Sequence, residues 1–115
     1  MPFSRGEVVL VLFPESSLRT AKRRPALVVQ ANHLATGLPQ TIVAMITSNI
    51  TRAGHPSRVL VNLRTPEGKQ TGLLSDSVIM TDNLVTVLDT EIDRCIGVWS
   101  DMLSVDASLR NTFGL

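Results

Sequence analysis

The feature that most constrains this chain is a succession of short, β-branched apolar runs. Turn signals separate them, and a single stretch of helical periodicity follows at the end. Glu7 to Phe13 (EVVLVLF) reads as a buried strand, stopped by Pro14, which has no N–H for a ladder. Residues 15–24 (ESSLRTAKRR) are polar and basic and read as a hairpin loop. Pro25 to Gln30 returns as a second strand with the proline at its first position. Ala31 to Gln40 holds Gly37 and Pro39 and is a connection with room for one helical turn. Thr41 to Thr47 is almost continuously apolar, which places it centrally in a sheet.

Ser48 to Pro56 is a loop, and Arg58 to Asn62 alternates as a half-exposed strand does. Pro66-Glu67-Gly68 marks a turn within 64–68. Gln70 to Met80 reads as a strand bent near Gly72, Leu84 to Val87 as a short extended piece, and Arg94 to Trp99 as a last strand. Ser100-Asp101 supplies N-cap chemistry for a terminal helix. Its apolar positions Met102, Val105, Leu109 and Phe113 recur at three- and four-residue spacing, and Gly114 ends it. Strands first and one helix last predict a mostly β fold: a small, strongly curved antiparallel barrel with a C-terminal α-helix.

With 115 residues, 43% of them hydrophobic, residues 1–115 are expected to form a single domain with its own core. Cys95 is alone and cannot form an internal disulfide, which fits a reducing cytoplasm. No targeting segment is read at the start, and the run Val8 to Phe13 is too short to span a bilayer, so a cytoplasmic location is expected. His33, His55 and Cys95 lack metal-ligand spacing, so neither metal nor cofactor is expected. Charge is segregated. Nine bases and three acids lie within the first 70 residues, against two bases and seven acids after them. Such a split points either to a polyanion or acidic-peptide site built mainly from the first part or to solvated loops that happen to be basic. With 3% aromatic residues and no tyrosine, any nucleic-acid binding must lean on cations and hydrogen bonds rather than stacking. Trp99 and Phe113 are accordingly expected in the core or an interface.

Several stretches then occur in a telling order: Arg5-Gly6-Glu7-Val8, Lys22-Arg23-Arg24-Pro25-Ala26-Leu27-Val28, Ile42 to Asn49 (IVAMITSN), and His55-Pro56-Ser57-Arg58-Val59. Gly72 to Ser77 (GLLSDS), Asp82 to Val87 (DNLVTV) and Ile96-Gly97 follow. In this order and spacing the chain resembles the MazF/PemK/Kid family of toxin endoribonucleases along nearly its whole length. The resemblance implies an SH3-like barrel, of the MazF/PemK/CcdB-like kind, that works as a homodimer. It also implies cleavage of single-stranded RNA without a metal, with the 2′-hydroxyl as internal nucleophile, and an antitoxin partner whose acidic C-terminal tail competes for the RNA groove.

The family's catalytic positions fall on Arg24 and Thr47. The Arg24 guanidinium can give two hydrogen bonds to phosphate oxygens and is always charged, which suits a five-coordinate phosphorane. Arginine hardly deprotonates, so electrostatic stabilisation is expected of it rather than proton abstraction. Thr47 can hold a phosphate oxygen or the 2′-hydroxyl. Asp76 matches a family aspartate and is read either as catalytic or as a structural acceptor. The Kid-style set also needs an arginine and a histidine at positions where this chain has Leu74 and no histidine in 15–24. Arg19, Lys22 and Arg23, expected in the first loop, would contact phosphates without sequence choice. Ser48, Asn49 and His55 complete the expected RNA-binding set. Two other readings use the same fold: a CcdB-like toxin that binds a topoisomerase, and a catalytically decayed binding module. The CcdB-like tail carries a tryptophan; Asn111 to Leu115 has none.

Overall fold

The computed structural model describes residues 3–14 and 21–115. Six antiparallel strands form one sheet in the order β4-β5-β3-β2-β1-β6. They are β1 (Glu7–Pro14), β2 (Ala21–Val28), β3 (Gln40–Thr47), β4 (Arg58–Val61), β5 (Ser77–Leu88) and β6 (Ile92–Val98). A one-turn helix α1 (Pro66–Lys69) follows β4, and helix α2 (Met102–Phe113) ends the fold. None of the described helices is long and apolar enough to cross a membrane.

The apolar runs are continuous because both faces of the sheet are covered. Val8, Leu27, Ala44, Ile46 and Ile79 form one buried cluster with Trp99 and Val105. Val9, Val11, Ala26, Val28, Val43 and Met45 form a second with Val87 and Ile92. Alternation along each strand sends successive residues to opposite clusters. Helix α2 covers the first. Asp101 caps it by accepting from the Ser104 N–H (3.3 Å), and Gly114 ends it in the left-handed region. Val105 is fully buried and Met102 and Leu109 pack against the cluster, whereas Phe113 points largely to solvent. The buried face of α2 is instead continued by Ser108, because the surface it meets at β5 is polar: Thr81 lies 2.7 Å from Ser108 Oγ.

The edge strands β4 and β6 do not pair, so the sheet is a curled, open relative of the expected barrel. The connection between β4 and β5 crosses the gap, where Gln70 C=O accepts from Val98 N–H (2.9 Å). This close crossing explains two departures from the sequence reading. The expected turn at 64–68 is the helical turn α1, capped by Thr65. The expected strand Gln70 to Met80 begins only at Ser77 and runs on to Leu88, absorbing the short piece at Leu84 to Val87. Gly72 (φ +73°) stands so close to β6 that a Cβ there would meet the Ile96 carbonyl oxygen at 2.1 Å. Val78 and Ile79 of β5 pair with both β3 and β4, the β4 ladder ends at Met80 facing Arg58, and residues 80–83 have no partner on β3, where the register shifts between Ala44 and Ile46. A bulge between the paired stretches ending at Met80 and resuming at Leu84, not a turn, accounts for the polar Thr81-Asp82-Asn83.

Strand β2 also starts earlier than expected. Lys22, Arg23 and Arg24 are strand residues, paired with Phe13, Leu12 and Val11. Cross-strand pairing with β1 outweighs the polar composition that reads as a loop. Pro25 therefore lies inside β2, but one residue beyond the β2–β3 ladder, where that side of the strand is open.

Candidate functional site

The open end of the second cluster is where chemistry-bearing residues converge. The β2–β3 ladder ends at the pair Ala26–Met45. Two residues further along both strands, the same register sets Arg24 against Thr47. Arg24 shares its face with Ala26 and Val28, and Thr47 shares its face with Met45 and Val43, by the period of two. The strands part at Pro25, and a groove of about 830 Å³ opens between them.

Arg24, Thr47 and Ser48 line this groove with Lys22, Arg23 and Arg94, over a floor that includes Leu10, Met45, Ile46 and Ile96. Gly72 to Ser75 form one wall. Every ionisable side chain among the described lining residues is a base. Arg23 is tied to Asp93 (Nε to Oδ2, 2.9 Å), an exposed pair that fixes its direction more than it adds stability. Arg24 is exposed and makes no ion pair among the described residues, so its fork is open to an incoming anion. Thr47 Oγ1 accepts from the Asn49 N–H (3.1 Å), which leaves its own O–H to donate outward.

Thr47 also lines a second, smaller cavity of about 370 Å³ with Asn49, Thr51, Arg52 and Arg58. Met80 stands between the two. Asn49 Oδ1 accepts from both Thr51 N–H (3.1 Å) and Thr51 O–H (2.6 Å), so the amide NH2 is the end left to donate. Arg58 is paired with Asp82 (Nε to Oδ1, 2.9 Å).

Two expected site residues fall elsewhere. Asp76 is outside both linings and accepts from Leu63 N–H (2.9 Å). His55 is exposed, outside both linings, and its Nδ1 accepts from Ser57 N–H (3.0 Å). Arg19 lies outside the described residues. No three His, Cys, Asp or Glu side chains gather as a metal site among the described residues.

The sequence model of PemK-like, MazF-like toxins of type II toxin–antitoxin systems matches residues 4–113. Endoribonuclease MazF2 of Mycobacterium bovis and Endoribonuclease MazF6 of Mycobacterium tuberculosis are each 36% identical to the chain over 119 residues, with full coverage of both chains. The chain belongs to the PemK/MazF toxin family. Solved structures of family toxins share the fold. One is the MazF-mt6 toxin of Mycobacterium tuberculosis (TM-score 0.72, 23% identity, 95% of this chain and 97% of that one). Another is MazE–MazF from Deinococcus radiodurans (TM-score 0.74, 18% identity, 98% and 97%). A third is a mycobacterial endoribonuclease with its cognate antitoxin (TM-score 0.72, 21% identity, 98% and 96%).

Reading the toxin's sequence alone misses Arg94 as a groove residue and Arg52 and Arg58 as lining the smaller cavity. Arg94 stands in the acidic half of the chain and reaches the groove only because β6 pairs with β1, Arg94 facing Leu10. The alternation Arg58-Val59-Leu60-Val61 was the one local hint that Arg58 faces away from the core.

Proposed function

We propose that this toxin is an endoribonuclease that cuts single-stranded RNA at short sequence motifs, without a metal, through attack of the 2′-hydroxyl. The observation that carries the reading is that Arg24 and Thr47 share one groove whose described ionisable lining is entirely basic. In the step, the 2′ oxygen bonds to phosphorus and the bond from phosphorus to the 5′ oxygen breaks. The 2′ proton departs and the 5′ oxygen gains one, leaving a 2′,3′-cyclic phosphate and a 5′-hydroxyl. Charge grows on the non-bridging oxygens as the phosphorane forms. Arg24 meets that charge, and preorganised donors of this kind are worth roughly 10²–10³ in rate. The Thr47 O–H holds a phosphate oxygen or the 2′-hydroxyl in line. Lys22, Arg23 and Arg94 attract the strand, and Ser48 and Asn49 orient it.

Asp76 is assigned a structural role, holding the Leu63 amide, and His55 shapes its loop through Ser57. Cleavage of cellular RNA stops translation and growth, and an antitoxin with an acidic tail silences the toxin by occupying the same basic groove. The active form is a homodimer, for which exposed Leu74, Leu103, Phe113 and Leu115 offer apolar surface. Sedimentation as a monomer at micromolar concentration would contradict that last point.

The test is to incubate the protein with long single-stranded RNA in EDTA and map the ends by primer extension. Discrete cuts at a repeated motif, lost in a folded Arg24→Ala variant, are expected. Activity in Arg24→Ala refutes the assignment of Arg24. RNA left intact by the wild type refutes the whole reading; gyrase inhibition would then favour a CcdB-like toxin.

A further inference from the structure

The smaller cavity beside Thr47 has no assigned use in the cleavage step. Apart from Met80, its side chains are polar, and three of them have donor ends left free by the contacts among the described residues. Thr47 offers its O–H, Asn49 its amide NH2, and Arg52 its guanidinium, whereas Arg58 gives Nε and Nη2 to Asp82 (2.9 and 3.2 Å). No carboxylate lines it among the described residues. A cluster of donors around Arg52, a cation with no ion pair among the described residues, is a site for an anion.

Its position sets which anion. Thr47 lines both cavities, so a chain held at Arg24 and Thr47 enters the second cavity at its next linkage, past Met80. The loop that carries the donors is already shaped. Ala53 N–H bonds to Ile50 C=O (3.1 Å), His55 N–H to Arg52 C=O (3.0 Å) and Arg58 N–H to His55 C=O (2.9 Å). The loop end is pinned inside the protein, where Thr81 N–H and O–H both donate to Ser57 C=O (3.1 and 2.8 Å). Arg52 thus presents its side chain from a backbone that needs little reordering on binding.

We propose that Arg52, with Asn49 oriented by Thr51, forms a second phosphate subsite that grips the backbone linkage adjoining the scissile one. This rests on RNA as the substrate. The subsite adds affinity and fixes the strand direction across the groove, and it leaves base choice to other contacts.

The experiment uses RNA built around a mapped cut site, with a 2′-deoxy sugar at the cleaved nucleotide so that binding is measured without turnover. Single linkages on either side are replaced in turn by neutral methylphosphonate. In the wild type, one replacement adjoining the scissile linkage weakens binding on the order of tenfold, as expected for a charge-assisted contact. In Arg52→Ala the all-phosphate RNA binds about that much more weakly, and the same replacement then costs little. Its salt slope falls by roughly 0.7, the value for one phosphate on a single strand. Arg52→Lys keeps the slope and loses part of the affinity. Arg52 is exposed, so the variants fold. If Arg52→Ala keeps the full methylphosphonate penalty and the wild-type slope, the subsite is refuted. RNA left uncut by the wild type would instead refute the ribonuclease reading, a separate result.

Discussion

Thr81 is where the fold and the second cavity are joined, and Thr81→Val measures the strength of that joint. Its hydroxyl is fully buried and lies 2.8 Å from Ser57 C=O, 2.7 Å from Ser108 Oγ and 3.0 Å from Thr112 Oγ1. Valine keeps the shape and removes the polar atom. Ser57 C=O keeps the Thr81 N–H, and Thr112 Oγ1 keeps Ser57 Oγ (2.8 Å) and Ser108 C=O (3.1 Å). Ser108 Oγ, on a residue only 3% exposed, loses its one side-chain partner among the described residues. A buried hydroxyl so stranded costs about 1–3 kcal/mol, and the lost bonds add about 1 kcal/mol. The expected loss is about 2–4 kcal/mol, or roughly 8–16 °C in Tm for a chain of this length. Urea denaturation at one fixed protein concentration reads it, because dimerisation would otherwise shift the midpoint. Removing the stranded group as well, in Thr81→Val with Ser108→Ala, should restore about 1 kcal/mol relative to the sum of the single losses. A single-variant loss under about 0.5 kcal/mol, or strict additivity in the pair, would refute the reasoning.

Two further outcomes follow from other contacts. A Cβ on Gly97 would lie 2.3 Å from both Gln70 O and Thr71 C, so Gly97→Ala must lever the 70–73 crossing off β6. A loss of about 2 kcal/mol or more in denaturation, with weakened cleavage because Gly72 and Leu73 wall the groove, is expected; wild-type stability would count against the close crossing. Burial pushes the Cys95 thiol up, a hydrogen bond with Glu7 adds to this, and a backbone hydrogen bond at Gly97 opposes it. The thiolate fraction at pH 8 is therefore below that of a free thiol, iodoacetamide should react slowly, and Glu7→Gln should speed the reaction. Alkylation as fast as a model thiol would contradict this.

Much of the architecture was legible because the signals are local. β1, β3, β4 and α2 follow from apolar periodicity, proline and glycine stops and the Asp101 cap, each decided within a few residues. The Arg24 and Thr47 pair was visible through resemblance. What joins them is the β2–β3 register, and that depends on which apolar face each strand buries.

The rest was decided over distance. Lys22 to Arg24 are as polar as any loop, and only pairing with β1 makes them strand. Thr81-Asp82-Asn83 has the composition of a turn, yet β5 runs through it as a bulge, because pairing with β3 holds the strand on both sides, at Val78 and Ile79 and again from Leu84. Arg94, in an acidic stretch, enters a basic groove through the β1–β6 ladder, and Arg52 joins Thr47 through a loop held by Thr81. Sequence by itself determined which segments are strand or helix and which residue types could meet a phosphate, because propensity and charge are properties of neighbours in the chain. Only tertiary structure decided which cations share a groove, because strand pairing brings together residues that local sequence does not relate.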